Sequence, residues 1–296
     1  MTLARPPAHP TSLVFLGTPE IAVPPLRALH DAGFPVELVV TGEDKRRGRG
    51  SERTPSPVKA AAVELGLPVS HDLQDALGVG ADLGVVVAYG RLIPTSVLEQ
   101  LPMINVHFSL LPRWRGAAPV ERALLTGDAV TGVCIMDVAE GLDMGDIHAD
   151  VEVSIDPTAT VDGLRASLIA AGTTLLLDTL RAGLDYAVPQ VGEPVYAYKL
   201  TTDDRRLDWS RPAVELDRVV RLGGAHTTFR GKRLKLWEAS LVDADRPLVP
   251  GQLDGIVVGT GDGSLQLGVV QPEGKARVDA EAWRNGAQPA TDERLG

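Results

Sequence analysis

Residues 103–119 read Met-Ile-Asn-Val-His-Phe-Ser-Leu-Leu-Pro-Arg-Trp-Arg-Gly-Ala-Ala-Pro, and this stretch begins as a short strand with polar side chains. Its alternation places Asn105, His107 and Ser109 two positions apart, so that they leave the predicted strand on one face. Pro112 then ends the strand, because a proline cannot donate a hydrogen bond to a neighbouring strand. We interpret this strand end, with its amide, imidazole and hydroxyl, as a candidate site for chemistry.

A second polar cluster strengthens this interpretation. A single His or Asn on a strand is more often a satisfied core or edge residue than a catalytic one. However, the run Glu140-Gly-Leu-Asp143-Met-Gly-Asp146 follows the apolar residues 132–138, again at a predicted strand end. A carboxylate beside an imidazole holds its tautomer and stabilises its charged form. The sequence therefore groups Asn105, His107 and Asp143.

The apolar segments around this stretch predict an α/β domain. Residues 12–16 and 81–88 are typical of buried parallel strands, and residues 158–181 have the apolar spacing of a long helix. The first strand leads into Gly17-Thr-Pro-Glu and a helix through residue 30. The three-glycine fingerprint of a dinucleotide site is missing there, so the sequence predicts no nicotinamide cofactor.

Three loops are expected to lie together at one edge of the predicted sheet. Ligands of an open parallel sheet bind beyond the carboxyl ends of its strands. On that rule residues 89–93, 105–112 and 141–143 surround one crevice. The strands predicted at 131–138 and 147–155 flank the loop that carries Asp143.

Composition excludes several function classes. The chain has 296 residues, enough for two domains, and a formal net charge of −10, which argues against general nucleic-acid binding. Its one cysteine, Cys134, excludes an intramolecular disulfide and a cysteine-built metal site, and its apolar surroundings predict a small buried hydrophobe. The histidines lack ligand spacing, and we find no nucleophilic Ser or Cys motif, so no metal and no covalent intermediate are expected. Without a bilayer-spanning run or a signal peptide, a cytoplasmic location is expected.

Two segments are basic within this acidic chain. Five basic residues and one acidic residue lie between positions 45 and 53, among glycines and prolines. This stretch is either a solvated surface loop or a mobile loop that folds around RNA phosphates, and the residues alone leave both interpretations open. Residues 205–235 hold nine Lys and Arg against three acids. Short strands predicted at 232–239, 255–258 and 265–270 favour a small β-barrel there.

These motifs carry a family resemblance. The run Asn105-Val-His-Phe-Ser-Leu-Leu-Pro112, followed by Gly-Leu-Asp143, resembles the signature of folate-dependent formyltransferases. The fuller run to Pro119 is similar to the branch of that family that formylates methionyl-tRNA. The similarity extends over nearly the whole chain, through residues 17–20, 54–59, 87–90, 208–212, 231–235, 271–275 and 285–286.

The resemblance implies a fold and an activity. It implies a Rossmann-like formyltransferase domain over residues 1–190, a linker over 191–206 and an OB-like, tRNA-binding β-barrel over 207–296. The expected reaction moves the formyl group of 10-formyltetrahydrofolate to the amino group of methionine on initiator Met-tRNA, for translation initiation. A monomer without a metal is expected.

The resemblance also implies roles for single residues. Asn105 would stabilise the oxyanion, His107 would move protons, and Asp143 would orient His107 or relay protons. The expected folate-binding residues are Tyr89, Gly90, Leu92, Ser109, Leu110, Leu111 and Pro112, although Ser109 could instead cap the turn. The expected tRNA-binding residues are Lys45, Arg46, Arg47, Arg49, Lys232 and Arg233.

Three other functions stay open from the sequence. The acceptor could be a small amine, such as an aminosugar or glycinamide ribotide, which would not need the basic loop or the basic barrel. Water could replace the amine, which would make the protein a hydrolase that releases formate. A non-catalytic RNA-binding protein could keep the fold, but the intact Asn105, His107 and Asp143 argue against it.

Overall fold

A computed structural model describes residues 3–46, 53–244, 246–291 and 293–296 of the chain. The chain divides into two compact units, of which the first comprises Met1–Pro119, Val130–Ser154 and Arg165–Tyr198, and the second comprises Val120–Ala129, Ile155–Leu164 and Lys199–Gly296. An α/β unit followed by a smaller antiparallel β unit confirms the predicted fold class. No helix within the described ranges is long and apolar enough to cross a membrane.

The strands up to residue 198 all belong to the first unit. They are β1 (Leu13–Gly17), β2 (Val36–Val40), β3 (Lys45–Arg46), β4 (Arg53–Thr54), β5 (Val69–Ser70), β6 (Leu83–Val87), β7 (Met103–His107), β8 (Arg115–Gly116), β9 (Val130–Asp137), β10 (Ile147–Ser154) and β11 (Tyr196–Ala197). The α-helices over the same range are α1 (Val23–Asp31), α2 (Pro57–Glu64), α3 (Thr95–Leu98), α4 (Pro119–Thr126) and α5 (Val161–Ala182).

Seven strands form the main sheet, in the order β10-β9-β7-β6-β1-β2-β5. The five strands from β7 to β5 run parallel, while β9 and β10 are antiparallel additions at one edge. β1 and β6 are buried along their whole length, as parallel strands covered on both faces require. The buried strands predicted at 12–16 and 81–88 are confirmed.

The antiparallel direction of β9 corrects one step of the sequence argument. Asp137 at the end of β9 lies opposite Ile104, and Cys134 lies opposite His107. The loop after β9 therefore starts at the amino end of β7, not at its carboxyl end, and the rule for parallel strands does not apply to it. Asp143 reaches His107 because the loop doubles back.

The helix predicted after Gly17-Thr-Pro-Glu starts as a 3-10 turn at Glu20–Ala22. This turn leads into α1, which has a proline in its first turn, where no backbone donor is needed. The long helix predicted at 158–181 begins later than the sequence predicted. The long helix α5 begins at Val161, where the Thr160 hydroxyl accepts a hydrogen bond from the Gly163 N–H at 3.2 Å. A side-chain cap of this kind satisfies one of the backbone N–H groups that the first helical turn leaves without a partner.

The second unit is built on an antiparallel sheet. Its strands are β12 (His226–Phe229), β13 (Lys232–Val242), β14 (Leu253–Asp254), β15 (Val257–Gly259), β16 (Ser264–Pro272) and β17 (Val278–Asp279), and its later helices are α6 (Ala213–Leu222) and α7 (Ala280–Ala287). The strand order is β12-β13-β16-β15-β14, with β17 paired to β16. Leu216 of α6 packs with Leu234, Leu236 and Leu265 of the sheet in one apolar core.

Residues 188–197, which come before the last part of the second unit, pair with strands of the first unit. Ile147 and Val188 exchange two backbone hydrogen bonds, and β11 pairs in parallel with β8. The compact units divide between Tyr198 and Lys199, so the first part of the predicted linker, up to residue 198, belongs to the first unit. The division at residues 190 and 207 stays a prediction for the functional domains.

Candidate active site

His107 stands at the end of β7 with one ring nitrogen fixed. Its Nε2 lies 2.9 Å from the backbone oxygen of Trp114, and both residues are buried. A carbonyl oxygen can only accept, so Nε2 carries a hydrogen in this contact. Nδ1 is therefore the nitrogen at which His107 can gain or lose a proton, and it faces Asp143 Oδ2 at 3.7 Å.

Asp143 is held in the loop between β9 and β10. Its backbone is left-handed, with φ +51°. The Gly116 N–H donates to its Oδ2 at 2.8 Å, so the carboxylate has a fixed partner besides the imidazole. Gly116 itself has φ +116°, and a Cβ there would lie 2.9 Å from the Ala197 oxygen. A glycine is thus required beside Asp143.

Asn105 lies two positions before His107 on β7 and is half-buried. Within the described part of the chain its side-chain amide makes no hydrogen bond. An amide at a strand end with its donors uncommitted can donate to an oxygen that becomes negative during a reaction.

Ser109 does not continue the polar face of the strand, because β7 ends at His107. It is fully buried, and its hydroxyl donates to the Arg113 backbone oxygen at 2.6 Å. This hydrogen bond caps the turn, and the folate contact predicted for Ser109 stays a prediction. Leu110, Leu111 and Pro112 form the half-buried turn that Ser109 closes.

The other predicted folate residues follow β6. Tyr89 is buried, and its hydroxyl has no hydrogen-bond partner among the residues described. Gly90 has φ +76° and is exposed, and Leu92 is 85% exposed, an unusual setting for a large apolar side chain.

The predicted tRNA residues fall into two groups. Lys45 is exposed on β3, which pairs with β4 at the base of the basic segment. Arg46 lies on β3 as well, while Arg47 and Arg49 lie outside the described residues. In the second unit Lys232 and Arg233 are exposed at the start of β13.

The basic residues of the second unit differ in whether they form an ion pair with a carboxylate. Arg211, Arg221 and Arg230 form ion pairs with Glu215, Asp217 and Glu293. Lys232 and Arg233 form no ion pair with any described residue. Their charges are therefore available to a phosphate, unlike those of the three paired arginines.

Sequence reasoning missed two residues that hold the Asp143 loop. The Gln190 amide nitrogen donates to the backbone oxygens of Asp143 at 2.9 Å and Gly145 at 2.8 Å. Its oxygen accepts from Arg115 Nε at 3.0 Å and Nη2 at 2.6 Å. Arg115 stood within the quoted motif, but no local signal marked Gln190, which is 47 residues from Asp143.

Cys134 lies opposite His107 in the sheet, and its thiol is not ionised near neutral pH. Burial raises the pKa of its thiol to about 12, so it is a neutral thiol near pH 7. The described residues contain no group of three or more His, Cys, Asp or Glu side chains that could hold a metal ion.

Family profiles match both parts of the chain. The profile "Formyl transferase" matches residues 11–180, and "Formyl transferase, C-terminal domain" matches residues 199–288. The methionyl-tRNA formyltransferase of Symbiobacterium thermophilum is 45% identical over 299 residues, covering 93% of this chain and 92% of its own length. That of Streptomyces coelicolor is 42% identical, covering 96% of this chain and 99% of its own.

Solved structures share the fold at lower identity. HypX from Aquifex aeolicus, in complex with tetrahydrofolic acid, has a TM-score of 0.66 and 18% identity, over 97% of this chain and 49% of its own. An N-formyltransferase from Helicobacter canadensis, in complex with folinic acid and dTDP-3-aminofucose, has a TM-score of 0.67 and 15% identity, over 88% of this chain and 98% of its own.

Proposed function

This chain belongs to the methionyl-tRNA formyltransferase family, and from that premise we propose that it formylates the amino group of methionine on initiator Met-tRNA. The formyl donor is 10-formyltetrahydrofolate. The observation that carries the proposal is that His107 Nδ1 faces the Asp143 carboxylate at 3.7 Å at the end of β7, the strand that also carries Asn105 two positions earlier.

Bond making and breaking follow from the reactants. The methionine nitrogen attacks the formyl carbon, and the carbon–oxygen double bond becomes a tetrahedral oxyanion. Collapse of this intermediate breaks the bond between the formyl carbon and N10 of the folate. The amine loses one proton and N10 gains one, so formyl-Met-tRNA and tetrahydrofolate are released in balance.

Asn105 stabilises the oxyanion. Its amide is half-buried and has no partner among the described side chains and backbone, so it donates without first breaking another bond. One such preorganised donor contributes about 3 kcal/mol to transition-state stability in comparable sites.

His107 carries the proton at Nδ1. Its Nε2–H is committed to the Trp114 oxygen at 2.9 Å, which leaves Nδ1 to accept the proton and later return it. Asp143 stabilises the imidazolium that forms between these two steps. The separation of 3.7 Å between the two groups exceeds a direct hydrogen bond, so in this arrangement the carboxylate acts on the ring through its negative charge.

The folate is assigned to two loops of the first unit. We assign the folate to the turn of Leu110, Leu111 and Pro112 and to the loop with Tyr89, Gly90 and Leu92. HypX from Aquifex aeolicus, which has this fold, was solved with tetrahydrofolic acid, and this supports a folate as the co-substrate. Ser109 acts on it through the turn.

The tRNA is assigned to basic residues of both segments, among which Lys232 and Arg233 form no side-chain ion pair with a described residue. Lys232 and Arg233 on the second unit and Lys45, Arg46, Arg47 and Arg49 in the basic segment supply the phosphate contacts. The protein acts as a cytoplasmic monomer, with residues 1–190 as the catalytic domain and 207–296 as the tRNA-binding domain. A small-amine acceptor would leave these basic residues without a use.

The test is formyl transfer by single-residue variants. Asn105→Ala is expected to lower kcat by about 100- to 1,000-fold, because one oxyanion donor is lost. His107→Ala is expected to lower it by about 100- to 10,000-fold, because proton transfer is lost. His30→Ala, an exposed histidine at the end of α1, is the matched control and should leave kcat unchanged. Near-normal turnover by folded Asn105→Ala and His107→Ala proteins would refute the assignment.

A further inference from the structure

The geometry points to Gln190 and Arg115 as positioning residues, which hold the loop of Asp143 so that its carboxylate faces His107. This inference rests on the proposed function. It concerns a contact between the segment after α5 and the loop between β9 and β10, both within the first unit.

The Gln190 amide spends its full hydrogen-bonding capacity on this contact. Both hydrogens of Nε2 are used, by the Asp143 oxygen at 2.9 Å and the Gly145 oxygen at 2.8 Å. Oε1 accepts two N–H groups of Arg115, at 3.0 and 2.6 Å. One side chain therefore ties two backbone carbonyls of the loop to β8.

Arg115 fixes which way this amide faces. A guanidinium only donates, so the amide oxygen must point to Arg115 and the amide nitrogen to the loop. Arg115 is 8% exposed and has no carboxylate partner in the described part of the chain. Its buried charge is thus met by the Gln190 oxygen, and a rotation of the amide would leave both the cation and the loop carbonyls unsatisfied.

Consecutive residues of β8 control both ends of Asp143. Arg115 acts on the Asp143 backbone through Gln190, while the Gly116 N–H donates to the Asp143 carboxylate at 2.8 Å. β8 in turn pairs with β11, and Arg115 N donates to the oxygen of Val195, the residue before β11, at 2.9 Å. Side chain and backbone of Asp143 are therefore set by the same two-residue strand.

The loop has need of such a clamp. Asp143 has φ +51°, a conformation that a non-glycine residue adopts only where its surroundings hold it. Gly145 lies so close to the Asp137 oxygen that a Cβ would fall 1.8 Å from it. The base of the loop is fixed separately, by the 2.8 Å contact of His148 Nε2 with Asp137 Oδ1. Gln190 is what secures the tip.

Gln190→Glu tests the clamp with almost no change in volume. The carboxylate keeps its bond to Arg115 but has no N–H for the loop carbonyls. We expect kcat for formyl transfer to fall about 100-fold, as for a catalytic group displaced by about 1 Å, while KM for both substrates stays unchanged. Gln100→Glu is the matched control, because Gln100 also donates to a backbone oxygen, that of Ser96 at 2.8 Å, but is exposed in the turn that follows α3.

A double-mutant cycle of Gln190 and Asp143 distinguishes a positioning role of Gln190 from general structural support. If Gln190 acts through Asp143, Gln190→Glu will lower kcat no further in an Asp143→Ala background. An additional loss in that background would overturn the inference. Hydrogen exchange at residues 141–145 should also quicken in Gln190→Glu and not in the control, which is a readout independent of activity.

The outcomes distinguish this inference from the proposed function. No transfer by the wild-type protein would overturn the function, and the clamp would have no catalytic group to position. An active wild type beside a Gln190→Glu variant of normal kcat would overturn the clamp alone. Should Gln190→Glu fail to fold, Arg115→Lys keeps the charge and loses the two-pronged contact; normal kcat in that variant would likewise contradict the inference.

Discussion

Gly116→Ala should damage stability and catalysis through one added methyl group. Gly116 has φ +116°, and its Cβ would lie 2.9 Å from the Ala197 oxygen. The methyl group must push β11 away from β8, which breaks the bonds from Ala117 N to the Ala197 oxygen and from Arg115 N to the Val195 oxygen, both 2.9 Å.

The magnitude follows from a comparison with Gly33→Ala. Gly33 also has positive φ, +81°, but a Cβ there meets nothing within 4 Å. Its replacement therefore costs only the strained conformation, about 1–3 kcal/mol. Gly116→Ala carries a similar conformational cost and loses two hydrogen bonds worth about 1 kcal/mol each, so it should be less stable by about 2 kcal/mol more.

Urea unfolding followed by circular dichroism measures this difference, and formyl transfer measures its effect on the site. The Gly116 N–H that donates to Asp143 moves with the strand, so kcat should fall about 100-fold in Gly116→Ala for a shift of about 1 Å. Gly33→Ala should keep its kcat. Equal stability losses in the two variants, or full activity of Gly116→Ala, would refute the reasoning.

Three further predictions concern single groups. Cys134, whose pKa burial raises to about 12, should resist thiol reagents at pH 8 and react fully once the protein is unfolded in urea; rapid labelling of the native protein would contradict this. Burial, and then the charge of Arg233, lower the pKa of His226 below its ordinary 6.5, so the unfolded chain binds the proton first and stability should fall as the pH drops through about 6.5. Arg233→Gln should raise that pKa in an NMR titration; an unchanged value would show that Arg233 does not act on the ring. Arg49→Gln should raise KM for Met-tRNA, with weaker tRNA retention in filter binding, and leave folate binding intact, as measured by folate fluorescence. An equal loss of tRNA and folate binding would point to misfolding.

Local patterns were enough to predict the strands and half of the site. β1 and β6 were visible as apolar runs, because a strand buried on both faces must be apolar throughout. The two-residue spacing of Asn105 and His107 was equally local. Strand alternation failed at Ser109, because the chain leaves the sheet after His107 and the hydroxyl turns back to the Arg113 oxygen.

Long-range contacts decide the remainder of the site, and the sequence offers no local sign of them. Asp143 reaches His107 by a loop that starts at the wrong end of β7 for the parallel-strand rule. Gln190 is the last residue of the predicted catalytic domain, directly before the predicted linker at 191–206, and no local pattern marks it. Its use became visible only when the fold brought it to Asp143 and Arg115.

The basic residues give a similar lesson in electrostatics. Arg230 and Lys232 are equivalent in the sequence count of charges. The fold brings Glu293, 63 residues away, to Arg230 and neutralises it, while Lys232 keeps its charge unpaired among the described residues. Which cations remain for a phosphate depends on the acids that folding supplies, so composition alone cannot rank them.

The most direct test is single-turnover transfer of label from 10-formyltetrahydrofolate to charged initiator Met-tRNA, beside a panel of small amines and a reaction without acceptor. We expect label on Met-tRNA alone. Label on a small amine would keep the site and contradict the acceptor. Formate released at the same rate without any acceptor would contradict the transfer itself and make the protein a hydrolase.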